Sequence, residues 1–452
     1  MFNGKQRIHF VGIGGAGMSG IAEVALNLGH QVSGSDIKKT EVTQRLKELG
    51  AKIYIGQKAE NIKNKNVDVV VTSTAISKDN PEVQQAVKDK IIIIPRVEML
   101  AELARLKYTI TIAGTHGKTT TTSITSMVLD EGGFDPTIVI GGKLKNLKTN
   151  ARLGKGEYMI AEADESDGSF LKLSPVITVV TNIDNDHLDY YGNMENLKAA
   201  FIKHINSLPF YGCAVVCTDS PLVKEILPYT ARKHITYGFK GTPDITATEI
   251  SVVNGNTEYT AIYKGKKLGK ITLKVPGEHN VLNSLAAIGV GLQFDIPFVN
   301  IKTALANYGG VGRRLEVKGE KKGITVIDDY GHHPTEVKAT LSALKHNYPK
   351  RRLVVLFQPH RYTRTQNLYK EFGKALKKAD VIYIMDIYAA SEKPIKGVTS
   401  DLIINSAYQN KCNVCKFTDI NSIAETLKKD DIFLTLGAGN VWQQGEELLK
   451  LL

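Results

Sequence analysis

The chain is poor in cysteine, with four in 452 residues. Cys213 and Cys217 share the apolar run "CAVVC", and Cys412 and Cys415 form a single C-x-x-C. One such pair is too little for a zinc site or a disulfide framework, so reduced, structural thiols are expected. Long apolar runs are missing too. No stretch approaches the ~18 residues that a membrane-spanning helix needs, and no membrane partner is expected. The opening "MFNGKQRIHF" passes almost at once into a strand-like run, so no export signal is expected and the cytoplasm is the expected location. Low-complexity segments and short repeats are also absent. The net charge of +12 lacks a clustered basic arm or an aromatic–basic motif. Lysines are scattered as on ordinary solvated faces, which argues against nucleic acid and leaves room for polyanionic small substrates.

What is present is an ordinary globular composition, 42% hydrophobic and 23% charged, long enough for two to four domains. Three regions emerge. Residues 1–107 alternate strand-like runs ("RIHFVGIG", "QVSGSD", "VDVVVTSTA", "IIIIP") with helical stretches, the rhythm of a Rossmann-like parallel sheet. Residues 108–312 start with "YTITIAGTHGKTTTTS" and contain, from Ile245 to Val275, short runs separated by turn signals that predict a small antiparallel β portion. Residues 313–452 restart the alternation with "ITVIDDYG", "RRLVVLFQP" and "DIFLTLGAG". The expected architecture is three α/β domains: Rossmann-like, central P-loop ATPase, and Rossmann-like again.

Within "IHFVGIGGAGMSG", Gly12, Gly14 and Gly17 fit G-x-G-x-x-G, and Asp36 ends the next strand-like run. That pattern suits any pyrophosphate at a helix N-terminus, NAD included. The sharper signal is "GTHGKTTTT", which follows an apolar strand and opens a helix. Gly114 stands only three residues before Gly117, closer than in the usual P-loop. Even so, Lys118 is placed to reach β- and γ-phosphates, and Thr119 to offer a hydroxyl to Mg²⁺. Two acidic clusters follow at strand ends: Glu162, Asp164, Glu165 and Asp167, then Asp184, Asp186, His187 and Asp189. Together, downstream of a P-loop, they read as hard ligands for a divalent ion. The third region adds Asp328, Asp329, Tyr330, His332 and His333, then His360, Arg361 and Arg364, where arginine forks suit carboxylate or phosphate. A P-loop makes a plain dehydrogenase a poor fit and favours an ATP-dependent ligase.

In this order of motifs ("HFVGIGGAGMSGIA", "GSD", "GTHGKTTT", "EADESD", "TNIDNDHLDYY", "GEHNVLN", "GRRLE", "DDYGHHPTE", "FQPHRYTRT") the chain resembles, over essentially its whole length, the Mur ligases of peptidoglycan synthesis. The resemblance implies that Gly12, Gly14, Gly15, Ala16 and Gly17 hold the pyrophosphate of a UDP-sugar, with Asp36, Ser73 and Thr74 lining that site. It implies ATP at Gly114, Thr115, His116, Gly117, Lys118, Thr119 and Thr120, with Asn280 on adenine and Arg314 and Asp329 on ATP from the third region. Two Mg²⁺ ions are expected, with Thr119, Glu162 and His187 as metal-binding residues. Tyr330, His332, His360, Arg361 and Arg364 would gather around the amino acid and the muramoyl carboxylate. Lys118, His187, His332 and Arg361 are the expected catalytic residues, with His332 as base for the incoming amine because an imidazole pKa can sit near 7.

The expected reaction joins L-alanine to UDP-N-acetylmuramate through an acyl phosphate. Its rivals are a sister ligase that adds a ready-made tripeptide and, more distantly, an NAD-dependent dehydrogenase. Several relatives carry a carbamylated lysine where this chain has Phe201. Lys198 falls three positions early, so no carbamyl-lysine is expected. The expected partners are small molecules, and the chain a monomer or homodimer.

Overall fold

The computed structural model describes residues 4–452 apart from 74, 145–148, 254 and 391. Thr74, expected at the UDP-sugar, lies outside the described residues. The fold is α/β and carries three sheets. The first holds β1 (Arg7–Val11), β2 (Gln31–Asp36), β3 (Lys52–Ile55), β4 (Val69–Thr72) and β5 (Ile92–Pro95), all parallel, in the order β3-β2-β1-β4-β5. The chain order reverses beside β1, so the crevice at its carboxyl end is where such sheets take ligands.

The second sheet has ten strands: β6 (Tyr108–Ala113), β7 (Thr137–Leu144), β8 (Thr149–Arg152), β9 (Tyr158–Glu162), β10 (Ile177–Val180), β11 (Cys213–Cys217), β12 (His234–Tyr237), β13 (Ile245–Val253), β14 (Asn256–Tyr263) and β15 (Lys266–Leu273). Its order is β15-β14-β13-β12-β11-β10-β6-β9-β7-β8. Strands β6, β9 and β10 are central, parallel neighbours, so their carboxyl ends meet. The meander expected from Ile245 onward is β13–β15. Lys264 and Gly265 both take positive φ (47° and 78°) in the turn between β14 and β15, as a tight hairpin requires. The β7–β8 antiparallel pair carries no clear signal in the sequence.

The third sheet runs β16-β17-β21-β18-β19-β20, from β16 (Glu316–Lys321), β17 (Ile324–Asp329), β18 (Leu353–Phe357), β19 (Val381–Ile384), β20 (Val414–Lys416) and β21 (Ile432–Leu436). Only β16 is antiparallel to its neighbour.

By compactness the chain divides into two units: residues 1–249, 259–271 and 282–308, and residues 250–258, 272–281 and 309–452. The first unit has a core that runs from Ile8 and Phe10 to Phe170, Phe201 and Val216. The second packs both faces of its sheet, with Val355, Phe357 and Phe372 on one side and Val354, Leu356 and Phe433 on the other. Continuous apolar runs mark such strands because both faces are covered.

Candidate functional site

In the first unit the glycine loop leaves β1 and enters the helix Ala16–Asn27. Gly12 has φ +78°, and its N–H and that of Ile13 both donate to Ser35 O at 2.9 Å. Gly14 N–H donates to Asp36 Oδ2 at 2.8 Å, and a Cβ on Gly14 would crowd that same oxygen at 2.8 Å. Asp36 thus ties down the loop. Ser73 follows β4 on the neighbouring strand end.

The phosphate loop is built at the ends of three adjacent strands. It leaves β6 at Gly114, φ +126°, turns at Gly117, φ +81°, and enters the helix Lys118–Glu131. A Cβ at Gly114 would stand 2.2 Å from Thr181 Oγ1 and 2.9 Å from Asn182 O, so only glycine fits. The end of β10 clamps the loop. Asn182 O accepts from Thr115 N–H (3.1 Å), and Asn182 Oδ1 from His116 N–H (2.8 Å). Asp184 Oδ2 holds His116 Nε2 at 3.0 Å, and Asp184 N–H donates to Thr115 Oγ1 at 3.0 Å. These two loop amides are already bonded. The first-turn amides from Lys118 onward are the donors that a helix N-terminus leaves for an anion. Thr120 is buried, and Thr121 Oγ1 donates to Asn283 Oδ1 at 3.1 Å.

Lys118 Nζ lies 2.8 and 3.0 Å from the two oxygens of Glu165 and 2.6 Å from Gly114 O. Burial opposes charge on Lys118, but Glu165, Asp164 and Glu162 outweigh it and raise its pKa. Burial in turn raises the pKa of Glu165 despite Lys118. His187, itself at positive φ (58°), brings Nε2 to 4.0 Å from Glu165 Oε1 and 3.6 Å from Asp186 Oδ2. Tyr191 donates from its hydroxyl to Glu165 O at 2.6 Å. The carboxylate that meets both Lys118 and His187 is therefore Glu165. Glu162, three residues earlier, closes β9 and acts on Lys118 as a more distant charge.

Phe201 is fully buried against Phe170. Lys198 is held by Glu195 (2.6 Å) and Glu225 (2.7 Å), whose hydrogen bonds raise its pKa.

In the second unit, β17, β21 and β18 are neighbours and their carboxyl ends gather the remaining residues. Asp329 is buried and accepts from Leu315 N–H (2.8 Å), Gly331 N–H (2.9 Å) and Thr340 Oγ1 (3.0 Å). Burial raises its pKa, against the pull of Arg314. Arg314 lies 5.2 Å over the Tyr330 ring. Arg313, not singled out in the sequence, pairs with Asp328 at 2.9 Å and donates to Gly437 O and Gly439 O. Asn280 donates to Pro276 O at 2.7 Å.

His332 Nδ1 sits 3.1 Å from Tyr330 O and 3.3 Å from Glu336 Oε2. Burial takes its pKa down to about 3, with Arg364 and His360 adding to the effect against Glu336. That direction runs against the near-neutral value expected for His332. His360 packs edge-on to His332 at 5.6 Å and stacks on Tyr388, also at 5.6 Å. Tyr388 had no signal in the sequence. Its carbonyl accepts from Arg361 N–H at 2.9 Å and helps hold Arg361 at φ +72°, a strained conformation for a side-chain-bearing residue. Arg364 is buried, with Nη1 3.4 Å from His360 Nδ1.

Three family models match in series: Mur ligase family, catalytic domain, at residues 7–108; Mur ligase middle domain at 112–291; and Mur ligase, glutamate ligase domain, at 313–439. The UDP-N-acetylmuramate–L-alanine ligase of Endomicrobium trichonymphae is 62% identical, with all of both chains covered. The solved structure of a UDP-N-acetylmuramate–alanine ligase from Thermotoga maritima is 30% identical, with 98% of each chain covered and a TM-score of 0.84. A murein peptide ligase from Psychrobacter arcticus superposes with a TM-score of 0.74 and 98% of each chain covered; at 22% identity it speaks for the fold alone.

Proposed function

The chain belongs to the Mur ligase family, and from that premise we propose that it joins L-alanine to the carboxylate of UDP-N-acetylmuramate with cleavage of ATP to ADP and phosphate. In this reading residues 1–107 hold the UDP-sugar, 108–312 hold ATP, and 313–452 hold the amino acid. The carrying observation is the Lys118–Glu165 contact at the phosphate loop. It sets a half-buried cation and a hard-oxygen carboxylate at the mouth of a phosphate-binding helix. The choice of L-alanine rests on the relative at 62% identity.

The donor set fits magnesium, which takes oxygen ligands. The Glu165 carboxylate and the Thr119 hydroxyl would hold one ion, so we move to Glu165 the role expected of Glu162. His187 would stand at a second. Magnesium, when bound, neutralises phosphate charge and orients its oxygens.

Lys118 exchanges Glu165 for the β- and γ-phosphate oxygens as ATP enters, and it stays a cation because those oxygens replace the carboxylate as its counter-charge. The muramoyl carboxylate attacks the γ-phosphorus, and the amine of alanine then displaces phosphate from the acyl carbon. Arg361, Arg364 and His360 offer the donors for a carboxylate. With a pKa near 3, His332 is a weak proton acceptor, so we assign it the orientation of the amine.

The test is phosphate release from ATP with UDP-N-acetylmuramate, alone, with L-alanine, or with the intact tripeptide. Release that requires L-alanine is expected. Release that requires the tripeptide would keep the family and change the substrate. No release with either would overturn the reading.

A further inference from the structure

Gly17 is the third glycine of the opening fingerprint, yet it needs no unusual backbone, since it lies inside the helix Ala16–Asn27. Glycine in a helix costs ~1 kcal/mol relative to alanine, so a reason must be sought in space. A Cβ at Gly17 would stand 1.9 Å from Arg96 Nη1 and 2.9 Å from Arg96 Cζ. Arg96 opens the helix Arg96–Ala104, immediately after β5. Its guanidinium therefore lies on the first turn of the helix that the glycine loop feeds, at the positive end of that helix. Among the described residues its only polar contact is Asp164 Oδ2, at 3.6 Å, too long for a hydrogen bond. A side chain with five N–H donors thus lies against the glycine loop with none engaged in a hydrogen bond within the described protein. About a third of it is exposed.

We propose that Arg96 is a binding residue for the pyrophosphate of the sugar nucleotide, and that Gly17 is glycine to let the guanidinium reach it. The proposal rests on the assignment of the glycine loop to that nucleotide and adds a residue 79 positions away. Asp164 is the resting counter-ion. Because the pair is long and partly exposed, it is weak, and Arg96 leaves it readily for phosphate oxygens that its planar fork matches two at a time. Asp164 also contributes to the field on Lys118, so the move of Arg96 changes the charge beside the phosphate loop.

The experiment is calorimetric titration of the full chain, without ATP, with UDP-N-acetylmuramate and with UDP alone. If the unsubstituted chain binds neither, the nucleotide assignment itself fails. If it binds them, Arg96→Gln is expected to weaken both by the same ~10- to 100-fold, the loss of a charge-assisted bidentate contact. Asp164→Asn is expected to tighten UDP by up to ~5-fold, since it removes the competing anion, and to lose that effect in the Arg96→Gln background. An unchanged UDP affinity in Arg96→Gln would overturn the proposal. So would a loss confined to UDP-N-acetylmuramate, which would put Arg96 on the muramoyl carboxylate. A merely structural cross-tie predicts that both single variants lower the thermal midpoint and that neither changes UDP affinity selectively.

Discussion

Lys118 and Glu165 show how a residue proposed as catalytic can also be a structural one. Glu165 is buried and Lys118 half-buried; the carboxylates around Lys118 raise its pKa, while burial raises that of Glu165 against the pull of Lys118. Lys118→Met is expected to reduce phosphate release by 10³-fold or more and also to destabilise the protein, because it strands a buried carboxylate at a cost of ~3–5 kcal/mol. The double variant Lys118→Met/Glu165→Gln should recover most of that stability in urea titrations and none of the activity. Equal destabilisation of single and double variants would show that the two side chains are not coupled. His332 yields a second prediction at this scale. Burial lowers its pKa and so favours the neutral imidazole. His332→Asn should lower turnover with alanine and leave the acid limb of the rate–pH profile where it was. A displaced limb would return His332 to the role of base.

At the scale of the element, the unit of function is a strand, a turn and the first turn of a helix, used at β1 and again at β6. Gly114→Ala tests it. The new methyl meets Thr181 and Asn182 and must adopt φ +126°. The expected cost is ~3 kcal/mol or more, with ATP affinity lost before the UDP-sugar affinity changes. These turns were legible in the sequence because glycine, lysine and threonine follow each other at fixed spacing after an apolar run. The three strand ends around Lys118 were legible for the same reason. Which of the acids meets Lys118 was not. Four acids in six residues look alike as letters, and only the course of the chain after β9 turns Glu165 onto Lys118. Arg96 and Tyr388 were illegible for a different reason. Each acts on a residue far away in sequence, Gly17 and His360, and no local pattern carries such a pairing. The opening fingerprint was legible as chemistry and ambiguous as identity, since its glycines serve any pyrophosphate.

At the scale of the molecule, the two compact units have separate cores, and in each, desolvation lowers the pKa of a histidine. In the first, His204 lies between Thr111 and Thr178 hydroxyls (3.2 and 3.0 Å), stacked on Phe170, and burial lowers its pKa to about 4. In the second it is His332. A histidine whose folded pKa lies below its unfolded value favours the fold fully above pH ~6.5. That contribution is lost as pH falls toward the folded pKa, because the unfolded chain then binds the extra proton. For His204 the loss amounts to about 3 kcal/mol between pH 6.5 and 4. Large chains with separate cores need not unfold in one step. Scanning calorimetry at pH 7.5 is therefore expected to resolve two transitions, both moving down at pH 5. His204→Gln should flatten the pH dependence of one of them only. The UDP-sugar, at 100-fold over its dissociation constant, should raise that same transition by ~5 °C and leave the other in place, since a ligand stabilises the unit that binds it. A UDP-sugar shift confined to the transition that His204→Gln does not touch would move the nucleotide to the second unit. That result would take the glycine loop, Asp36 and Arg96 out of the site together.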